Sequence, residues 1–458
     1  RKISFYSLRK KNLIIKVYDL SKKERIPIVT KELLFPFIVI TSLFALWGIA
    51  NDLTNPMVSA FKKVMPELSN IQSSLVQFAF YFGYFFMAFP AALFIRRFSY
   101  KSGIILGLTL YAIGAFLFYP AAIYEEFNYF LISLWVITCG LAFLETTANP
   151  LILALGDKRT ATQRLNLAQA FNPVGSLTGM IIAQVFVLSA LRSDDYSSTA
   201  YNALSSNELA AIRENDLSII SIPYLSLGVL VLIIMSIIVF TKIPKTLVKD
   251  KMSVSDSLSK LFTNKSYKMG VLAQAACVGS QIMCWTYIFH YVDNLNDVTG
   301  WNITATNYNV AAMVLFLTGR WIGTALMKNI DPPKILMIFG VGGALASIGA
   351  VIFPGMMGLI SLVGISVFMS IMFPTIYGIA LKDMGDEVKI GSAGLVMAIV
   401  GGALMPVVQA AILDLGGGGF NDLNLLGYIP EVNLSFILPA ICLSFVGYFG
   451  YANIKLQH

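Results

Sequence analysis

The sequence predicts an all-α membrane protein whose twelve transmembrane helices fall into two groups of six, and three observations predict it. The first is composition. Across 458 residues the chain is 57% hydrophobic and only 13% charged, with a mean hydropathy of +0.72, well beyond what a soluble domain carries. The second is run length: twelve apolar stretches each reach the roughly 20 residues that a hydrocarbon core about 30 Å thick demands. The third is punctuation, because a polar, basic connection separates the sixth stretch from the seventh.

Taken in order, residues 1–34 form a tail that is rich in Lys and Arg and lacks a long apolar run. No cleavable signal peptide is expected. Residues 35–241 make a first bundle, with spans at approximately 35–57, 71–95, 103–123, 129–155, 163–190 and 218–241. Residues 242–267 are a linker carrying Lys242, Lys245, Lys249, Lys251, Lys260 and Lys265. Residues 268–458 make a second bundle, with spans at approximately 268–292, 304–328, 333–353, 355–381, 389–413 and 433–454. Placing the tail, the linker with Lys268, the loops after spans 2, 4, 8 and 10 and the C-terminus on one side leaves Lys62, Lys63, Arg192 and Arg213 on the other and Arg320 inside a span. Positive charge marks the cytoplasmic side, so both termini are expected in the cytoplasm of a cell whose inner membrane holds the chain. The same asymmetry accounts for the net charge of +8 without nucleic acid as a partner.

Long connections fall at 191–217, 242–267 and 414–432, which leaves no room for a soluble catalytic domain. The first of them, with Asp194, Asp195, Glu208, Glu214 and Asp216, is expected to be an external, solvated connector, and Gly416 to Gly419 a flexible turn. Cys139, Cys277, Cys284 and Cys442 all lie in apolar spans without CxxC or His/Cys spacing, so they are expected as free thiols, with no metal site and no cofactor.

The function must then sit in the membrane. Of 25 acids, Asp52 and Glu145 are the two expected deep inside spans. An ionised group at that depth costs about 3 kcal/mol on insertion scales, so a chain keeps one for a task or with a partner. Glu145 sits mid-span in LAFLETTANPL, with Asn149 one helical turn further on the same face and Pro150 behind it. Asp52 sits in GIANDLTNPM among Asn51, Thr54 and Asn55, either as a functional acid or as the wet end of span 1. Asn166, Gln169 and Asn172 recur every three residues in RLNLAQAFNP and form one stripe on span 5. Amides offer donor and acceptor together, as sugar hydroxyls require, although interhelical bonding would also explain them. Gln281 and Trp285 offer an amide and a stacking surface from span 7, while Arg320 either pairs with an acid or snorkels. His290 and Asp293 suggest an interfacial pair. The candidate functional residues are thus the acids Glu145 and Asp52 and, as candidate substrate contacts, Asn51, Asn55, Asn149, Asn166, Gln169, Asn172, Gln281 and Trp285.

The stretches FALWGIANDLTNPM, QFAFYFGYFFMAFPA, FLETTANP, RLNLAQAFN, FPTIYGIALKDMG and GSAGLVMAIVGGALMPVVQ together resemble the major facilitator superfamily and, within it, the L-fucose/proton symporter family. The resemblance covers nearly all twelve spans. It implies two pseudo-symmetric six-helix bundles with a monosaccharide site between them, probed from either side by rocking. It further implies that Glu145 is proton-linked and that Gln169 and Asn172 are sugar-site amides. One departure stands out: the family's aspartate position in span 1 holds Asn55, and the acid here is Asp52. A three-residue shift moves a carboxylate about 4.5 Å along the helix on nearly the same face, so either Asp52 substitutes or a second proton site is lost. The expected activity is proton-coupled symport of L-fucose by a monomer in the lipid bilayer. Sodium-coupled uptake of glucose, galactose or an amino sugar is the alternative, with a membrane-embedded transferase and a channel as more distant ones.

Overall fold

The computed structural model describes residues 26–54, 57–65, 67–68, 70–196, 204–243, 252–353, 355–413, 424–425 and 429–456. Among them, twelve stretches are long and apolar enough to cross a membrane. The first six are span 1 (Lys31–Thr54), span 2 (Phe78–Arg97), span 3 (Tyr100–Tyr124), span 4 (Phe127–Ala154), span 5 (Lys158–Ala190) and span 6 (Ser206–Phe240). The second six are span 7 (Lys265–Thr299), span 8 (Ala305–Leu326), span 9 (Pro332–Ile352), span 10 (Gly355–Ala380), span 11 (Val388–Leu413) and span 12 (Glu431–Lys455). Between the sets a short amphipathic helix, Val254–Thr263, opens on a Ser253 cap that accepts from the Asp256 N–H at 3.0 Å.

Spans 1 and 5, 2 and 4, 3 and 4, and 3 and 6 pack together in one bundle; spans 7 and 11, 8 and 10, 9 and 12, and 7 and 12 pack in the other. The outer faces stay apolar and exposed, as at Phe240, Ile123, Met357 and Val407, which is the surface that lipid covers. Within the first bundle spans 1 and 5 touch backbone to backbone. A methyl added at Gly175 would collide with the Ala45 carbonyl, and one at Gly48 with the Asn172 carbonyl. The bundles meet where span 11 lies on spans 2 and 4, and where spans 8 and 10 lie on span 5.

Several spans are interrupted, and proline explains where. Span 5 runs as Ala161–Gln169 and then Asn172–Ile182, with Pro173 in the first turn of the second piece. Span 10 breaks between Gly355–Met369 and Met372–Ala380, ahead of Pro374. Span 4 keeps one helix, Phe127–Ala154, through Pro150. Its last carbonyls, Ile152 and Leu153, accept from the fully buried Arg164 at 2.7 and 2.6 Å, a cation where a helix C-terminus wants one.

The connector expected at 191–217 is corrected. Span 6 starts at Ser206, because Ser205 and Glu208 form a capping box, and the helix then continues for 35 residues. Asp216 is fully buried, not solvated, and accepts from the backbone N–H groups of Arg192 and Ser193, both at 2.9 Å. Glu431, at the start of span 12, is also fully buried. Burial of an acid is therefore not confined to the middle of the spans. The Gly416 to Gly419 turn and Asn55 lie outside the described residues, as does the tail up to Arg25.

Candidate functional site

A cavity of about 150 Å³ lies between the bundles. From the first bundle its wall takes Asn51 and Asp52 of span 1, Tyr81 and Tyr84 of span 2, Glu145 of span 4, and Gln169 and Asn172 of span 5. From the second it takes Gln281 and Trp285 of span 7, Met313, Phe316 and Arg320 of span 8, Phe373 of span 10 and Ile399 of span 11. Most of the predicted site residues therefore converge on one space, although they come from four spans.

Glu145 is buried, and the Tyr84 hydroxyl lies beside its carboxyl. Neither Glu145 Oε2 nor the Tyr84 hydroxyl has a hydrogen bond of full geometry. A carboxyl in that setting has spare capacity for a partner in the cavity. Asn149 is fully buried behind the cavity wall rather than on it, and its Oδ1 accepts from Gln169 Nε2 at 2.9 Å while its Nδ2 has no partner. Asn51 presents an unpartnered Oδ1.

The amide stripe of span 5 is only partly one face. The break after Gln169 leaves Gln169 and Asn172 on the cavity, with Asn172 Nδ2 also donating to the Phe44 carbonyl at 3.2 Å. Asn166 lies outside the cavity and crosses to the other bundle, where its Nδ2 donates to Thr375 Oγ1 at 3.1 Å. Nearby, Gln163 Nε2 donates to the Thr324 carbonyl at 3.1 Å and Ser392 Oγ to the Thr146 carbonyl at 3.1 Å. These contacts close the end of the molecule at which spans 4, 8 and 10 finish.

Opposite the polar wall stands a mostly apolar one. Trp285 sits mid-span and not at an interface; its Nε1 donates to Ser366 Oγ at 3.2 Å and its ring meets Phe316 edge-on, centroids 5.1 Å apart. Gln281 Nε2 reaches Cys277 Sγ at 3.7 Å. Arg320, 2% exposed, lies 4.6 Å over the Phe316 ring and donates to the Gln169 carbonyl at 2.9 Å and to the Ser370 carbonyl. Among the described residues no carboxylate lies within ion-pair distance of it. The sequence alone did not single out Tyr84, Met313, Phe316 and Phe373, since aromatic and Met residues in an apolar span carry no signal that separates lining from core.

Two helical bundles closing on a central polar cavity, with no appended soluble domain among the described residues, define a membrane carrier. A family profile described as Major Facilitator Superfamily matches residues 33–408, and the chain belongs to that superfamily, in its fucose permease family. It is 49% identical to the L-fucose-proton symporter of Haemophilus influenzae over 94% of this chain and 99% of the relative. It is 35% identical to the L-fucose-proton symporter of Escherichia coli, over 93% and 94%. The crystal structure of FucP in the outward conformation is similar with a TM-score of 0.80 at 33% identity, covering 91% of this chain and 98% of that one.

Proposed function

We propose that the protein is a proton-coupled L-fucose symporter that works by alternating access, a carrier and not an enzyme. The observation that carries this reading is Glu145, a buried carboxyl on the wall of the cavity between the bundles with amides beside it. The names of the relatives point the same way. In this reading the chain sits in the inner membrane as a monomer with both termini in the cytoplasm. Residues 35–241 and 268–458 are the moving bundles, joined by the linker 242–267. The closed end is then cytoplasmic and the cavity belongs to an outward-facing state.

Glu145 takes a proton from outside and, as a neutral acid, donates one hydrogen bond to a sugar hydroxyl. Asn51, Gln169, Asn172 and Gln281 complete the polar recognition, Trp285 covers an apolar face of the ring, and Asp52 is a second titrating group near the outer end of span 1. Asn149 and Asn166 act from behind the site, by holding Gln169 and the opposite bundle. Reorientation carries proton and sugar together; on the inside the proton leaves and the sugar follows. A potential of about 150 mV supplies roughly 3.4 kcal/mol per proton, enough for accumulation of roughly 300-fold.

The test is counterflow and uphill uptake in proteoliposomes with a panel of sugars. L-Fucose exchange and accumulation under a proton gradient, in the absence of sodium, is the expected result. Accumulation that follows a sodium gradient, or a preference for glucose or galactose, selects the alternative.

A further inference from the structure

Near the closed end three carbonyls lack their helical N–H, because the residue four positions on is proline. They are Thr146 before Pro150, Gln169 before Pro173 and Ser370 before Pro374. At membrane depth such a group must find a donor inside the protein. Two of the three find it in the opposite bundle. Ser392 Oγ serves Thr146 at 3.1 Å, and Arg320 Nη1 serves Gln169 at 2.9 Å. The third, Ser370, takes Nε of that same guanidinium. Arg320 thus holds the interrupted helix of one bundle and the interrupted helix of the other at once. A planar fork with several fixed N–H directions can do this, and a Lys ammonium cannot do it in the same geometry.

We propose that Arg320 is the positioning residue of an inner catch, closing the cytoplasmic end by bridging two carbonyls that proline sets free, and that this catch is undone in every transport cycle. Gln169 connects the catch to the site. Its carbonyl holds Arg320 while its side chain lines the cavity and donates to Asn149, one turn beyond Glu145. An occupant that competes for the Gln169 amide therefore acts on the residue that carries the catch. The proposal rests on the carrier reading above, but its test needs no sugar.

In a chain with its four cysteines replaced, spin labels at Arg159→Cys and Lys382→Cys report the separation of the two bundles at the closed end, where both positions are exposed. In the sugar-free protein, Arg320→Met should raise the ratio of open to closed populations about tenfold, since the charge-assisted bond that crosses from Arg320 to the Gln169 carbonyl is lost. Pro173→Ala leaves Arg320 in place and returns an N–H to the Gln169 carbonyl; it should shift the ratio in the same direction by about threefold. Populations like the parent's in Arg320→Met overturn the proposal. If that variant does not accumulate in the membrane, Pro173→Ala alone decides by the same criterion. A loss of sugar affinity with sugar-free populations unmoved also overturns it and makes Arg320 a sugar contact. Failure of the carrier reading shows separately, as a parent without counterflow.

Discussion

Spans 4 and 10 hold corresponding places in the two bundles, and each contains a proline that frees a carbonyl, yet they are built differently. Span 4 stays one helix through Pro150, and its polar groups, Glu145, Thr146 and Asn149, are all buried. Span 10 breaks ahead of Pro374, and presents Phe373 to the cavity. The same backbone lesion is repaired for span 4 by Ser392 of the other bundle and for span 10 by Arg320 of its own. The difference teaches a division of labour: the first bundle keeps an unbroken helix where the buried carboxyl of Glu145 faces the cavity, and the second breaks its helix and supplies apolar surface and fastening.

The strongest way to break that comparison is to neutralise its polar side. Glu145→Gln should bring uphill accumulation from roughly 300-fold down to near one, while sugar counterflow continues. Counterflow together with pH-driven accumulation at the parent's level would remove Glu145 from coupling. A change on span 10, Tyr377→Phe, removes a buried hydroxyl and should leave accumulation within about threefold of the parent.

Next in size are the amides. Gln169→Ala or Asn172→Ala should weaken sugar binding by about 1 to 3 kcal/mol, as a buried partner is left unpaired; calorimetry on purified protein measures it. Unchanged affinity in both would leave them as interhelical ties, a role that the bonds to Asn149 and the Phe44 carbonyl already give them. Asp52→Asn should cut proton-driven uptake by about tenfold, one lost charge interaction of ordinary size, and Asn55→Asp added to it should restore part. A single variant with the parent's pH profile leaves Glu145 as the sole coupling acid.

The smallest effect is on the linker side. Lys260 Nζ stands 2.9 Å from Glu387 Oε1. Burial pushes the Glu387 carboxyl up, but the bond and charge of Lys260 together with the backbone N–H groups of Glu387 and Gly385 outweigh it and hold the group below its ordinary value. A depressed carboxylate stabilises the fold above its unfolded pKa, about 4.3, and that stabilisation is lost as pH falls through the folded value. Glu387→Gln should therefore lower thermal stability at pH 7 by at most ~1 kcal/mol, and the gap to the parent should close below about pH 4. A gap that persists there would assign it to packing.

The twelve spans were legible because lipid imposes one length and one polarity on every crossing. Glu145 was legible for the converse reason, as a charge in an apolar run. What escaped follows from treating each span as a continuous helix. Asn166 shares a stripe with Gln169 and Asn172 on an unbroken helix, but Pro173 interrupts span 5 and Asn166 turns to Thr375. Arg320 calls for a carboxylate partner by charge alone, and its actual acceptors are carbonyls that become free only through prolines on two other spans. Asp216 reads as a solvated loop acid by its neighbours in sequence; its burial depends on a turn at 192–195 that local pattern does not specify.

The glycine seam between spans 1 and 5 has a mechanical consequence. With Gly48 and Gly175 leaving no space for even a methyl group, any larger residue at either position would have to push apart span 1 and the Asn172–Ile182 piece of span 5, which carry Asp52 and Asn172 on the cavity wall. On the coupling proposed above, the signature of a seam loosened by Gly48→Ala or Gly175→Ala would be a proton leak in the absence of sugar.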